Sequence, residues 1–338
     1  MRSFRAALAV ALGAGVGGLL GPPVAASELE AQSRALQRAS AAVVGLQVQA
    51  LEDARSAATL GLERQGSGVV IGDDGLVLTI GWLILEAESV QIDTDDGRHF
   101  PARVVAYDPA TGFGLVQALA PLGLQPVPLA PRMPARSDAP LPVVSGGDDG
   151  EVTAVRLVSR RAFAGWWEYQ LESALFTAPQ LRGHGGAALF NERGELLGIA
   201  SLAVADADEP GRPRLAGNLF VPVDLLRPIL EELRSRGRSR ASDRAWLGLN
   251  CAEQAGQVRV LRVNDDSPAE VAGLRTGDRI LRLDGIKVTT LSQLWRALWA
   301  DARSERAVEL EIEREGRFMT LTVQSVDRAK TLRHAEGI

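Results

Sequence analysis

Between Ala42 and about Val204 the chain runs in short apolar stretches separated by Gly and Asp turns. Val43, Val44, Leu46 and Val48 form one such stretch. Gly66–Ile71 leads into Asp73-Asp74-Gly75 and is followed by Leu76–Thr79, the pattern of a β-hairpin. Val90–Ile92 and Ala102–Val105 flank Asp95-Asp96-Gly97 and predict a second hairpin. No 3.6-residue periodicity interrupts this region. Many short strands at such spacing predict an all-β barrel or sandwich.

The pattern differs on either side. Glu28–Ser40 has helix-forming composition. Pro222–Ser235 carries Leu225, Leu226, Ile229, Leu230 and Leu233 at helical spacing with Asp224 as N-cap, and predicts a helix. Asp206–Leu215 is polar and proline-punctuated and reads as an exposed loop. The stretch from Arg234 to Arg244 holds five Arg among Ser and Gly, a solvated linker by composition. A second unit begins near Ala245. It predicts strands at Trp246–Leu249, Val258–Val263 and Arg279–Leu283, a helical turn at Ser267–Leu274, a helix at Leu291–Arg303 and a last hairpin, Val308–Arg314 with Phe318–Val323. The polar tail from Asp327 reads as loose.

The first residues form a separate signal. Arg2 and Arg5 precede an apolar run from Ala6 to Leu20, Gly21-Pro22-Pro23 breaks it, and Val24-Ala25-Ala26 supplies small residues. This predicts a secretory signal cleaved after Ala26 and a periplasmic destination, an uncleaved membrane anchor being the alternative. The net charge of −5, from 37 basic and 42 acidic side chains, gives no electrostatic reason for a nucleic-acid partner. With one cysteine, Cys251, the chain can form no internal disulfide even in an oxidising space, so its cores must hold it together. Cys251 itself reads as a small buried hydrophobe.

The run Asp265-Asp266-Ser267-Pro268-Ala269-Glu270-Val271-Ala272-Gly273-Leu274-Arg275-Thr276-Gly277-Asp278-Arg279-Ile280-Leu281, with Leu283-Asp284-Gly285 after it, closely resembles the PDZ core of the Deg/HtrA family. The resemblance implies peptide capture by β-augmentation, with the peptide carboxylate in a nest of backbone N–H groups. Trp246-Leu247-Gly248-Leu249 resembles the carboxylate-binding loop, and Trp295 and Trp299 on the helix from Leu291 are further candidates for the groove. Trp166-Trp167 reads either as an exposed partner site or, more plainly, as one buried and one half-buried strand residue.

Residues 40 to 235 resemble the trypsin-like domain of the same family. Gly66–Thr79 is similar to the approach to its catalytic His, Tyr107-Asp108-Pro109-Ala110-Thr111 to the approach to its Asp, and Thr177–Gly186 with Leu189–Ile199 to its nucleophile loop and the strand behind. The implied fold is mainly β: a trypsin-like double six-stranded β-barrel followed by a small α+β PDZ domain. The implied division is 1–26 signal, 27–40 helical segment, 41–235 peptidase-like domain, 236–244 linker, 245–326 PDZ domain and 327–338 tail.

The resemblance places Trp82, Gly112 and Gly185 (His184 if the register slips by one) at the family's three catalytic positions. Hydroxyl attack needs a nucleophile, an imidazole to take its proton and a carboxylate to orient the imidazole. On these positions the sequence predicts a catalytically inactive homologue that binds unfolded or C-terminal peptides as a scaffold, chaperone-like factor or regulator of an active Deg/HtrA protease. The alternative is a serine-type endopeptidase or other hydrolase with a site rebuilt around His184. That imidazole is one of three, with His99 and His334, and the only one in the nucleophile loop. The family's trimeric assembly implies a homo-trimer as one state. Neither a cofactor nor a metal site is implied, as no Cys/His spacing supports one.

Overall fold

The structure is a computed structural model describing residues 22–132, 137–209 and 211–333. The expected signal lies largely outside these residues, as does His334. The described residues divide into two compact units: Ala162–Glu172 with Ser239–Leu332 form one, and the remaining described residues form the other.

The first unit opens with α1 (Pro22–Ala41) and contains two closed six-stranded barrels. The first is built from β1 (Val43–Ala50), β2 (Glu63–Val70), β3 (Leu76–Ile80), β4 (Ala87–Asp93), β5 (His99–Tyr107) and β6 (Phe113–Ala118), with short helices α2 (Ala57–Leu60) and α3 (Gly81–Ile84) between strands. Both predicted hairpins are present, with Val69 opposite Leu78 and Val90 opposite Ala102. The second barrel comprises β7 (Ser137–Val144), β8 (Val152–Ala164), β9 (Gln170–Ala178), β10 (Ala188–Phe190), β11 (Leu196–Val204) and β12 (Gly217–Pro222). Closure removes exposed strand edges, and the inward-facing residues, among them Leu141, Val155, Leu175, Leu189 and Phe220, fill its interior.

The helix expected over Pro222–Ser235 is shorter. A 3₁₀ turn spans Val223–Leu225, and α4 covers only Leu230–Arg236. Pro228 is the cause, because it lacks an N–H and its ring clashes with the preceding turn. Asp224 is not the N-cap; its Oδ2 accepts from Arg160 at 2.7 Å.

The second unit holds β13 (Ala245–Trp246), β14 (Leu249–Gln254), β15 (Gln257–Val263), α5 (Pro268–Val271), β16 (Arg279–Leu283), β17 (Ile286–Lys287), α6 (Leu291–Leu298), β18 (Ala307–Arg314), β19 (Arg317–Gln324) and β20 (Val326–Asp327). Its core gathers Leu249, Cys251, Ile280, Leu298 and Leu310 around Trp295, which is fully buried. The strand expected at Trp246–Leu249 is interrupted at Leu247-Gly248. Trp246 pairs instead with Val326, so the tail is ordered here, with Asp327 buried. The Arg-rich stretch is not wholly solvated either: Ser239 and Ser242 are buried, and the Arg244 guanidinium lies 3.6 Å above the Trp299 ring. α6 ends at Leu298, earlier than expected.

Candidate functional site

Two places carry chemistry. In the first unit, β3 delivers the chain into α3, so Trp82 stands one residue into a helical turn. The Gly81 N–H donates to the Gly112 carbonyl at 2.7 Å, and the Ser67 N–H donates to the Gly185 carbonyl at 2.9 Å. The positions expected from the sequence thus converge. Trp82 is half-buried, and its indole N–H donates to the Ser201 carbonyl at 3.2 Å. A Cβ on Gly185 would stand 2.6 Å from the Trp82 ring, so that loop is fitted to a glycine. Asp108 is fully buried, and its Oδ2 accepts from the Thr111 N–H at 3.1 Å and the Thr111 hydroxyl at 2.6 Å.

His184 sits beside this contact, 9% exposed, and its Nδ1 finds no hydrogen-bond partner. Burial holds the imidazole below its ordinary range, opposed by backbone groups at Leu202 and Leu181, so it is neutral at pH 7. His99 is elsewhere, exposed on β5, with Nδ1 2.6 Å from Asp93 Oδ1. Among the described residues no cluster of three or more His, Cys, Asp or Glu could hold a metal.

In the second unit, Leu247, Gly248 and Leu249 turn three consecutive N–H groups to one point. Gly248 takes φ of +87°, and a Cβ there would lie 2.3 Å from the Ser267 Cβ, so only glycine permits the turn. The carbonyls of Leu247 and Gly248 are tied back by the N–H groups of Ala269 and Asn264, both at 2.9 Å, which leaves the amides facing inward. At their focus lies the Glu168 carboxylate. Its Oε1 accepts from Leu247 at 3.1 Å, Gly248 at 2.7 Å and Leu249 at 2.9 Å. Trp246 is half-buried in β13; Trp295 donates its indole N–H to the Gly165 carbonyl at 2.9 Å, and Trp299 donates to the Ala245 carbonyl at 3.0 Å.

The plainer expectation for the tryptophan pair fails: Trp166 is 51% exposed and Trp167 half-buried, because the segment forms a loop against β14 rather than a barrel strand. Sequence reasoning missed Glu168, which meets the nest across 79 residues of chain.

Comparison with known proteins fits both places. A trypsin-like peptidase domain model matches residues 66–199, and a PDZ domain model matches 245–324. The chain is therefore a trypsin-like peptidase domain joined to a PDZ domain. The serine endoprotease DegS of Escherichia coli is 26% identical over 86% of this chain and 84% of its own. A probable serine protease of Buchnera aphidicola is 26% identical over 77% of this chain, which spans 56% of that relative's length. A serine endoprotease structure from Yersinia pestis superposes with a TM-score of 0.53 at 25% identity, covering 88% of this chain and 97% of that one. The HtrA-type protease AlgW, solved with a decapeptide, shares the fold at 20% identity, covering 88% of this chain and 98% of that one, with a TM-score of 0.53. In sequence and in fold the chain is similar to these Deg and HtrA-type proteases.

These relatives correct the expectation of an inactive chain. They are named as serine proteases and endoproteases, which points to a protease. The missing Ser-His-Asp set decided that expectation, and the names of the relatives favour the alternative stated beside it, a protease with a site rebuilt around His184.

Proposed function

We propose that this chain captures C-terminal or unfolded polypeptide segments in exported-protein quality control and hydrolyses them slowly as an endopeptidase. The observation that carries the reading is the Leu247–Leu249 nest, three converging N–H groups that hold a carboxylate. AlgW was solved with peptides, which supports the same use here.

For the reaction we assign His184 as general base: the imidazole is neutral with Nδ1 unpaired, and because that nitrogen is enclosed in the resting chain, substrate has to open the loop before it can accept a proton. Water adds its oxygen to the peptide carbonyl and gives its proton to His184. The C–N bond then breaks, and the proton passes to the leaving amine. Without a covalent intermediate, turnover is expected on the order of 10⁶ below that of a relative with a full triad. Residence therefore outlasts cleavage, and the chain shields its clients or works beside a faster relative. We also propose the division drawn from the sequence, with an exported signal over 1–26, a peptidase domain over 41–235 and a PDZ domain over 245–326.

The test incubates near-stoichiometric purified chain with casein for many hours, beside an active relative. Slow cleavage abolished in His184→Ala, with casein binding retained, is the expected result. Cleavage that persists in His184→Ala would dismiss His184 as the base, and absence of cleavage would dismiss the hydrolytic half while leaving capture standing.

A further inference from the structure

The nest of the second unit already holds a ligand, supplied by the chain itself. Glu168 is 4% exposed and gives its carboxylate to three consecutive amides. The segment around it is also placed as a peptide would be. Trp167 forms an antiparallel bridge with Asn250 of β14, and the Cys251 N–H donates to the Trp166 carbonyl at 2.6 Å. Running antiparallel to β14, the segment reaches the nest at its C-terminal end. There the Glu168 side chain stands where a terminal carboxylate would.

The segment is held in this pose from several sides. The Gly165 N–H donates to the Tyr169 carbonyl at 2.8 Å, closing a five-residue loop, and the Trp167 and Tyr169 rings stack 5.5 Å apart. Trp295, from the core of the unit, donates to the Gly165 carbonyl. Arg296 of α6 pairs with Glu172 at the far side of the loop. A carboxyl group this buried with three amides on one oxygen is a built contact, because burial without those partners would be strongly unfavourable.

We propose that the segment Ala162–Glu172 is an internal pseudo-ligand: Glu168 occupies the carboxylate nest and blocks it, and an incoming peptide binds only after this loop is displaced. This rests on the peptide-capture reading of the nest and adds its regulation. A peptide then pays for release of the loop, and its apparent affinity falls by the fraction of molecules with the nest open.

The test uses the whole mature chain and a fluorescein-labelled peptide of residues 158–167 with a free C-terminal carboxylate. Its terminal carboxylate follows Trp167, taking the place of the Glu168 side chain. Fluorescence anisotropy is read on wild type, Glu168→Ala and the more conservative Glu168→Gln. Binding about tenfold or more tighter in Glu168→Ala, with no gain in Glu168→Gln, whose neutral side chain keeps an acceptor oxygen for the nest, and loss for the C-terminal amide, is expected. Equal affinity in wild type and both variants would overturn the proposal.

Hydrogen exchange at the Leu247–Leu249 amides gives an independent reading without any peptide. Protection in wild type that falls by about tenfold or more in Glu168→Ala is expected; equal exchange in both would also overturn self-occupancy. If the peptide binds no form while this protection pattern holds, capture of free carboxylates is dismissed and the internal contact stands.

Discussion

Gly185 owes its identity to a ring. Its missing Cβ leaves the 2.6 Å gap that the Trp82 indole fills, and that indole is anchored by its bond to the Ser201 carbonyl. A serine at this position would drive the ring from its place, so Gly185→Ser alone should lower unfolding stability by about 1–3 kcal/mol. Adding Trp82→His makes room, and the double variant should recover most of the loss, a coupling of about 1 kcal/mol or more in a double-mutant cycle followed by urea denaturation. Strict additivity would show that the ring does not fix the glycine. The same contact explains why hydrolysis is assigned to His184 and water, since no hydroxyl can occupy position 185 beside Trp82.

At the level of elements, the turn entering β16 shows what a recognisable motif does physically. In Gly277-Asp278-Arg279-Ile280-Leu281 the Asp278 carboxylate, 1% exposed, accepts two bonds at 2.7 Å from Arg314 of β18 and one at 2.8 Å from the Arg275 N–H. It clamps the turn to the strand beside it. Removing the guanidinium strands a buried charge, so Arg314→Met should cost about 3 kcal/mol in urea unfolding; a change within about 0.5 kcal/mol would mean that solvent reaches the carboxylate. Motifs of this kind made the elements readable in sequence: both hairpins, β15, β16 and α5 fall where alternation and turn residues put them, whereas β14 begins only where the expected strand was to end. The helix over Pro222–Ser235 was overcalled because the apolar spacing continues through Pro228 while the backbone cannot. The nest was legible at Gly248. Its occupant was not, because Glu168 is far from Leu247 along the chain and no local pattern announces a contact of that range.

For the whole molecule, the position of Glu168 ties peptide access to pH. Desolvation raises its carboxyl from 4.5 to about 7, against the opposing effects of the Leu249, Leu247 and Gly248 amides and the Arg328 charge. The neighbouring Cys251 thiol is pushed up by burial and by Glu168, so it stays protonated and adds no titration of its own. The docked loop holds a proton that the free loop has released between pH 4.5 and 7. Docking is therefore at full strength below about pH 4.5 and weakens as pH rises through 7. Access to the nest follows the opposite course, because the terminal carboxylate of a peptide is already ionised across this range. Affinity for the 158–167 peptide should rise by about tenfold or more from pH 5.5 to pH 8 in the wild-type chain, and stay nearly level in Glu168→Gln, where nothing titrates at the nest. A level wild-type profile would mean that the docked carboxyl is ionised throughout, and a fall with pH would place the controlling proton elsewhere. With the expected slope, an acidifying compartment closes the nest and a neutral one opens it, with no change in the fold of either unit.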